Sequence, residues 1–329
     1  PADCVEPTRA IHLHAARPAG RNEPTAEGLA GSEEILRRVD SLSSDDLCLA
    51  MISGGASALL PATVEGISLA DKLAVTRHLS AAGANIIELN TVRKQLSRIK
   101  GGGLARACRA GQLITLVISD VLGDPLDLIG SGPTVPDTST PTEALAILER
   151  FAARQSPELH AAVHYLEGQA TSGAQRPDSD RHHHTRSSIH VIGNNATAVD
   201  AAGEEAVRRD YSPAMIAATE PEGQAEDVGR HLAEMARRMR VEPGPDCLIS
   251  GGEPVVTLAP EADRGRGGRN QQLALAAHQQ LGTPGIEGVV LISGGTDGED
   301  GPTDAAGAII DPQVASQAAG QGLIVEQFL

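Results

Sequence analysis

One short phrase, Ile-Ser-Gly-Gly, occurs three times: at Ile52-Ser53-Gly54-Gly55, Ile249-Ser250-Gly251-Gly252 and Ile292-Ser293-Gly294-Gly295. Each copy closes an apolar run (Leu47 to Ile52, Cys247 to Ile249, Val289 to Ile292) that reads as a short buried strand without polar alternation. Paired glycines after a strand let the backbone turn sharply and bring its N–H groups close to a ligand. At the carboxyl ends of parallel strands, such loops are where open α/β sheets hold phosphates and nucleotides. One Gly-Gly would mark only a tight turn. Three copies sharing the serine favour a phosphate-handling site. The copies have no fixed period, so they do not signal a solenoid.

Around these phrases strands and helices alternate. Residues 1–31 are polar and Gly/Pro-rich, and Ser32 is expected to cap a helix running to about Leu42. Ser68 and Asp71 form a capping box for a helix ending near Gly83, and residues 85–99 and 103–110 read as helical on either side of Gly101-Gly102-Gly103. Leu113 to Ser119 is a second buried strand. Thr140-Pro141-Thr142-Glu143 starts a helix that runs to about Phe151. Residues 168–187, including His182-His183-His184, read as a solvated loop. Strands are expected at 189–192, 247–249, 254–258 and 288–292, with helices at 222–240 and 270–281 and a helix capped by Asn194 or Asn195. Pro243-Gly244-Pro245 stops the 222–240 helix and marks the expected domain boundary, giving domains 1–240 and 241–329. The alternation argues for parallel sheets in α/β layers.

The net charge of −16 argues against general nucleic-acid or acidic-membrane binding. No run approaches the ~20 apolar residues of a membrane span. Cys4, Cys48, Cys108 and Cys247 are far apart, so neither a disulfide framework nor a zinc knuckle is indicated. A cytoplasmic enzyme is the default expectation, although the chain begins at Pro1 and its targeting is open. Lysine is scarce: only Lys72, Lys94 and Lys100 occur among 27 basic residues.

Four stretches could carry chemistry. In Ser53 to Leu59, small residues admit a phosphate or nucleotide and Ser53 and Ser57 add hydroxyls; a plain strand–turn–helix junction fits about as well. Arg264-Gly265-Arg266-Gly267-Gly268-Arg269-Asn270-Gln271 opens a helix with three guanidinium groups, which suits a polyphosphate or a transferring phosphoryl group. It fails as a dinucleotide fingerprint, because Asn270 holds the third glycine position. Asp120, Asp124 and Asp127, and then Asp297, Asp300 and Asp304, follow strands; hard oxygen ligands there suit Mg²⁺, although each alone reads as a turn or cap residue. Arg93, Lys94, Arg98 and Lys100 make a basic stripe that could bind an acid substrate or simply be solvated. There is no Walker A motif, no Gly-x-Ser-x-Gly elbow and no His-Glu-x-x-His.

Taken together, Ser53 to Leu60, Gly83 to Gly103, Ile118 to Gly123, Gly130-Ser131-Gly132-Pro133-Thr134-Val135-Pro136-Asp137, Gly251 to Leu258, Gly267 to Gln271 and Gly294 to Asp311 resemble the glycerate 2-kinase family, whose C-terminal region is called the MOFRL domain. The resemblance implies two three-layer α/β domains, a Rossmann-like kinase domain and a MOFRL-like one, with mainly parallel sheets and an interdomain cleft. It implies ATP-dependent phosphorylation of D-glycerate to 2-phosphoglycerate, with Mg²⁺ and a small-molecule partner, and a homodimer is an expectation on the same footing. On that footing Arg269, Lys94 and Asp297 are expected to be catalytic. Ser53, Gly54, Gly55, Ser57, Gly251, Gly252, Gly267, Gly268 and Asn270 are expected to bind nucleotide or phosphate. Arg93, Lys100 and Ser131 are expected to bind substrate, and Asp120 and Asp297 the metal. The family's N-terminal Gly-Lys turn and its second Gly-Pro-Thr segment have no counterpart here, and Gln272 stands where Glu is common. A chain truncated at both ends is therefore expected. The rival readings are an NAD(P)-dependent hydroxypyruvate reductase, against which the failed fingerprint argues, and a non-catalytic nucleotide- or phosphate-binding protein.

Overall fold

A computed structural model describes residues 5–16, 18, 23–172, 185–260, 262 and 264–329. Cys4 and His182-His183-His184 lie outside the described residues. The chain forms two compact units, Pro1–Asn194 and Asn195–Leu329.

The first unit runs α1 (Ala26–Asp40), β1 (Leu47–Ile52), α2 (Ala56–Leu59), α3 (Leu69–Ala81), α4 (Ile86–Gln95), α5 (Gly103–Ala107), β2 (Gln112–Ile118), α6 (Pro141–Arg150), α7 (His160–Ser172) and β3 (Arg186–Gly193). Its strands form one parallel sheet in the order β1-β2-β3, with Leu49 opposite Ile114 and Ile114 opposite Ser188. Parallel neighbours need crossover connections, and helices supply them. One face of the sheet, with Leu113 buried at its centre, packs on Leu36 and Val39 of α1 and on Leu104 and Cys108 at α5. Leu47, Leu49 and Met51 of β1 are exposed, so the expectation of a wholly buried strand fails there. A second core is helical: Val75 and Leu79 of α3, Val92 of α4, Leu148 of α6 and Leu166 of α7 meet in it.

Local capping chemistry sets several helix starts. Ser68 with Asp71 and Thr140 with Glu143 form complete capping boxes, as their spacing predicts, and Asn85 with Glu88 forms a third. Helix α1 instead begins seven residues earlier than a cap at Ser32 would allow, under the cap Thr25. Ser32 lies buried inside it and donates to the Gly28 carbonyl at 2.7 Å.

The second unit runs α8 (Asn195–Arg208), β4 (Pro213–Ala217), α9 (Ala225–Met239), β5 (Cys247–Gly251), α10 (Arg269–Gly285), β6 (Leu291–Gly294), β7 (Gly307–Ile310) and α11 (Pro312–Gly320). β4 and β5 pair in parallel, with Met215 opposite Ile249. β6 and β7 pair antiparallel, so the third Ile-Ser-Gly-Gly does not end a parallel strand. The compact units divide at 194/195, and Pro243-Gly244-Pro245 lies within the second of them. The physical reason is that β4 pairs with β5 across the Pro-Gly-Pro stop, while Ala233 of α9 shares a core with Ala274 and Ala277 of α10. The strand expected at 254–258 is reduced to an isolated bridge between Val255 and Gln224.

Candidate active site

All three lysines are buried, at 4% (Lys72), 5% (Lys94) and 1% (Lys100) exposure. A chain that uses arginine nearly everywhere thus places each of its three lysines in an enclosed position.

Lys100 stands beside the loop made by Gly101, Gly102 and Gly103. That loop is stitched to the Gly130-Ser131-Gly132 loop: Gly101 N–H donates to the Ser131 carbonyl at 2.9 Å and Gly102 N–H to the Gly132 carbonyl at 2.7 Å. Ser131 is held at φ 63° between two left-handed glycines. A non-glycine residue keeps that conformation, at about 1–3 kcal/mol, only where its surroundings fix it. Here the fixing is a hydroxyl chain. Lys100 Nζ donates to the Ser57 carbonyl (2.7 Å), to Ser57 Oγ (2.6 Å) and to Ser131 Oγ (3.3 Å). Ser131 Oγ donates to Asn90 Oδ1 at 2.9 Å. The hydrogen between Ser57 Oγ and Ser131 Oγ, 2.9 Å apart, is then the one on Ser57. The chain runs in one direction from Lys100 through Ser57 and Ser131 to Asn90. Lys100, Ser131 and Asn90 are buried, and Ser57 is the half-buried member. Burial, reinforced by the positive charges of Lys72 and Arg93, holds the Lys100 ammonium well below the ordinary lysine range.

The structure therefore brings together Ser57, Lys100 and Ser131, with Arg93 within Coulomb reach of Lys100. It also shows Asn90 and Lys72, which the sequence did not single out. Asn90 lies one helical turn before Arg93, and that i, i+3 spacing was the available signal. Lys94 has a different task. Its ammonium lies 3.1 Å from Asp127 and 3.8 Å from the buried Asp137, and Gln95 donates to Asp137 at 3.1 Å. These contacts anchor both ends of the Gly-Ser-Gly-Pro-Thr segment to α4.

Ser53, Gly54 and Gly55 form an exposed loop at the carboxyl end of β1. The exposed carboxylate of Asp120, at the carboxyl end of the neighbouring β2, occupies the space a Cβ would need on Gly54. In the second unit the Glu222 carboxylate does the same at Gly252, and Asn195 at Gly251. Burial raises the Glu222 carboxyl above its ordinary value. Asn195 donates to the Gly251 carbonyl at 2.9 Å.

The three guanidinium groups of the Arg/Gly loop do not converge. Arg264 donates to the Ala259 carbonyl, Arg266 to that of Pro302, and Arg269 pairs with Glu253 at 2.9 Å. The start of α10 is taken by the protein itself. Asp300, 3% exposed, accepts from Asn270 N–H (3.0 Å), Gln271 N–H (2.9 Å) and Asn270 Nδ2 (3.1 Å). The Asn270 and Gln271 N–H groups expected to face a phosphate are thus bonded to a carboxylate that caps the helix from a distant loop. Gly268 is required beside it, because the same carboxylate fills its Cβ space.

Asp297 is exposed, and its Oδ1 accepts from Glu299 N–H at 3.1 Å. Asp304 caps no helix; Asp311 caps α11. Among the described residues no three His, Cys, Asp or Glu side chains gather where they could hold a metal ion. Single exposed carboxylates such as Asp120 and Asp297 suit an ion that arrives on substrate phosphates, since Mg²⁺ typically takes only one or two from the protein. No described helix is long and apolar enough to cross a membrane.

Residues 4–166 match a family described as a domain of unknown function, DUF4147, and residues 246–329 match the MOFRL family. The chain is 38% identical to a glycerate kinase from Bos taurus, over 94% of this chain and 65% of that protein. It is also 38% identical to a D-glycerate 2-kinase from Thermotoga maritima, over 94% of this chain and 71% of that one. The crystal structure of the Thermotoga maritima glycerate kinase superposes with a TM-score of 0.78 at 36% identity, covering 94% of this chain and 72% of that one. The chain thus spans about two thirds of the length of these relatives.

Proposed function

The chain belongs to the glycerate kinase family, and from that premise we propose that it transfers the terminal phosphoryl group of ATP to the 2-hydroxyl of D-glycerate. The observation that carries this reading is the identity of 38% with a D-glycerate 2-kinase, sustained over 94% of the chain.

The exposed Ser53-Gly54-Gly55 loop supplies backbone N–H groups for phosphate oxygens, and Gly251-Gly252 and Gly267-Gly268 hold the corresponding loops of the second unit in shape. Ser57 is the contact to the hydroxy acid. Lys100 and Ser131, too deep to touch a bound molecule, act as positioning residues that fix its hydroxyl. Lys94 likewise positions the Gly130–Pro133 loop through Asp127 and Asp137. Arg269, kept in place by Glu253, is the cation that offsets charge on the transferring phosphoryl group. A magnesium ion carried with ATP would supply positive charge against the charge that develops on the phosphoryl group. Asp120 or Asp297 would hold it on the protein side. The cytoplasm is the proposed compartment and a small acid the proposed partner.

The test is a coupled assay that detects ADP and distinguishes the 2-phosphate of glycerate from the 3-phosphate. ATP-dependent formation of 2-phosphoglycerate is expected. Absence of ADP, together with oxidation of a reduced nicotinamide by hydroxypyruvate, would overturn the reading in favour of a reductase.

A further inference from the structure

Lys100, which donates to Ser57, lies within Coulomb reach of two more cations, and Arg93 stands one turn beyond Asn90 on α4, whose side chain accepts from Ser131 Oγ at 2.9 Å. Lys72 on α3 and Arg93 on α4 both depress the ionisation of Lys100 by their charge. Like charges so close repel, and burial adds to the cost, since an ion loses hydration when it is enclosed. Most charged pairs in this chain are compensated: Lys94 has Asp127 and Asp137, Arg98 has Glu33, Arg106 donates to the Gly101 carbonyl. Lys100 spends its three protons on serine oxygens and has no carboxylate partner. Arg93 is half-buried and partly desolvated, with its ionisation lowered by that burial alone, and it has no hydrogen-bond or ion-pair partner among the described residues. A guanidinium has five N–H donors in a planar fork matched to a carboxylate. Leaving all five without protein acceptors in a partly dry place is costly unless a ligand completes them.

We propose that Arg93 is the group that reads the carboxylate of the substrate, so that this site selects small 2-hydroxy acids over neutral polyols, with Lys100 and Lys72 supplying the positive field behind it. The inference deepens the kinase reading and rests on it for the identity of the acid. The placement of Ser57 agrees with it: its hydroxyl, held by Lys100, is joined through Ser131 to Asn90, one turn before Arg93 on α4, and offers a polar contact for a substrate hydroxyl. The basic stripe on α4 thereby divides into two roles. Lys94 faces carboxylates of the protein itself, and Arg93, its neighbour in sequence, faces none.

Equilibrium binding by calorimetry tests this without phosphoryl transfer, using D-glycerate, D-lactate and glycerol as probes. The wild-type chain is expected to bind both acids more tightly than glycerol. Arg93→Gln is expected to weaken both acids by about 10- to 100-fold, the scale of a lost charge-assisted pair, and to leave glycerol unchanged. Arg93→Lys should recover part of the loss, because it restores the charge without the fork. Thermal melting of each variant guards against misfolding. Should Arg93→Gln fail to fold, the ratio of acid to glycerol binding in Arg93→Lys decides, and an unchanged ratio overturns the proposal. A folded Arg93→Gln that binds D-glycerate as tightly as wild type also overturns it, as does a wild type that binds no carboxylate. The two readings fail separately. Phosphorylation of D-glycerate with a KM indifferent to Arg93 sinks this inference alone. Arg93-dependent carboxylate binding without any phosphorylation sinks the kinase reading and leaves this inference standing.

Discussion

The exposed carboxylate of Asp120 stands where a Cβ on Gly54 would lie. The two residues end neighbouring parallel strands, so the glycine loop of β1 and the acidic turn after β2 fix each other's shape. Both residues are exposed and the Asp120 carboxylate can swing aside, so Gly54→Ala is expected to destabilise the chain by no more than about 1 kcal/mol, the low end of the range for overpacking. Asp120→Ala in the same chain should relieve most of that loss, giving a coupling measurable by a double-mutant cycle in denaturant. An equal cost of Gly54→Ala in both backgrounds would show that the contact is not the cause.

The acidic loop after β6 holds two aspartates with opposite tasks. Asp300 is buried on three N–H donors, and Asp300→Ala should cost about 2–3 kcal/mol by stripping a cap and leaving those donors unmet. Asp297 is exposed in a turn, and Asp297→Asn should leave the melting temperature nearly unchanged while raising the Mg²⁺ requirement and lowering kcat. A drop in melting temperature with unaltered Mg²⁺ dependence would make Asp297 a turn residue only.

Arg269 pairs with Glu253 where both side chains are roughly half exposed, so the bridge itself contributes at most about 1 kcal/mol. Arg269→Ala should therefore melt close to wild type. Its kcat should fall by about 10²–10³, as when one preorganised charge-stabilising donor is removed. Wild-type turnover in this variant would remove Arg269 from the chemistry.

Lys100 gives a pH signature. Its ionisation in the folded chain lies well below the ordinary lysine value near 10.5, so between the two values the unfolded chain carries more protons than the folded one. Stability must then rise with pH across that window, by up to about 1.4 kcal/mol per unit. The charge opposes folding in full below the folded value, and the penalty fades as pH climbs toward the unfolded value. Denaturant melts of wild type and Lys100→Met between neutral and strongly alkaline pH should show this slope only in wild type. Parallel pH profiles would mean that Lys100 titrates normally.

What the sequence revealed depended on how local the physics was. The capping boxes at Ser68 and Thr140 and the strand Leu47–Ile52 were readable because their determinants lie within a few residues. The parallel α/β character followed from alternation of element types. Strand β4 was missed because it is short and opens with Pro213, and β7 because it is four residues long and follows a glycine-rich acidic turn. The start of α10 looked like a free anion site because its cap, Asp300, comes from 30 residues away. The hydroxyl chain was invisible for the same reason: Ser57 and Ser131 are 74 residues apart. Candidate residues could be named from their types, but their partners could not. Lys94 and Arg93 look alike in sequence and differ only in what surrounds them.

Each compact unit is one uninterrupted stretch of chain, and this has a kinetic consequence. During synthesis all three strands of the first sheet have left the ribosome once Gly193 emerges, before any of the second unit is exposed. That sheet cannot zip as hairpins do. Each of its pairings waits for a long helical stretch to fold back, and such non-local closures slow a search. In the second unit β4 and β5 are separated by little more than one helix. The half that is made first is therefore the half expected to mature more slowly, with its unpaired strands the stretch of nascent chain most in need of shielding while it does.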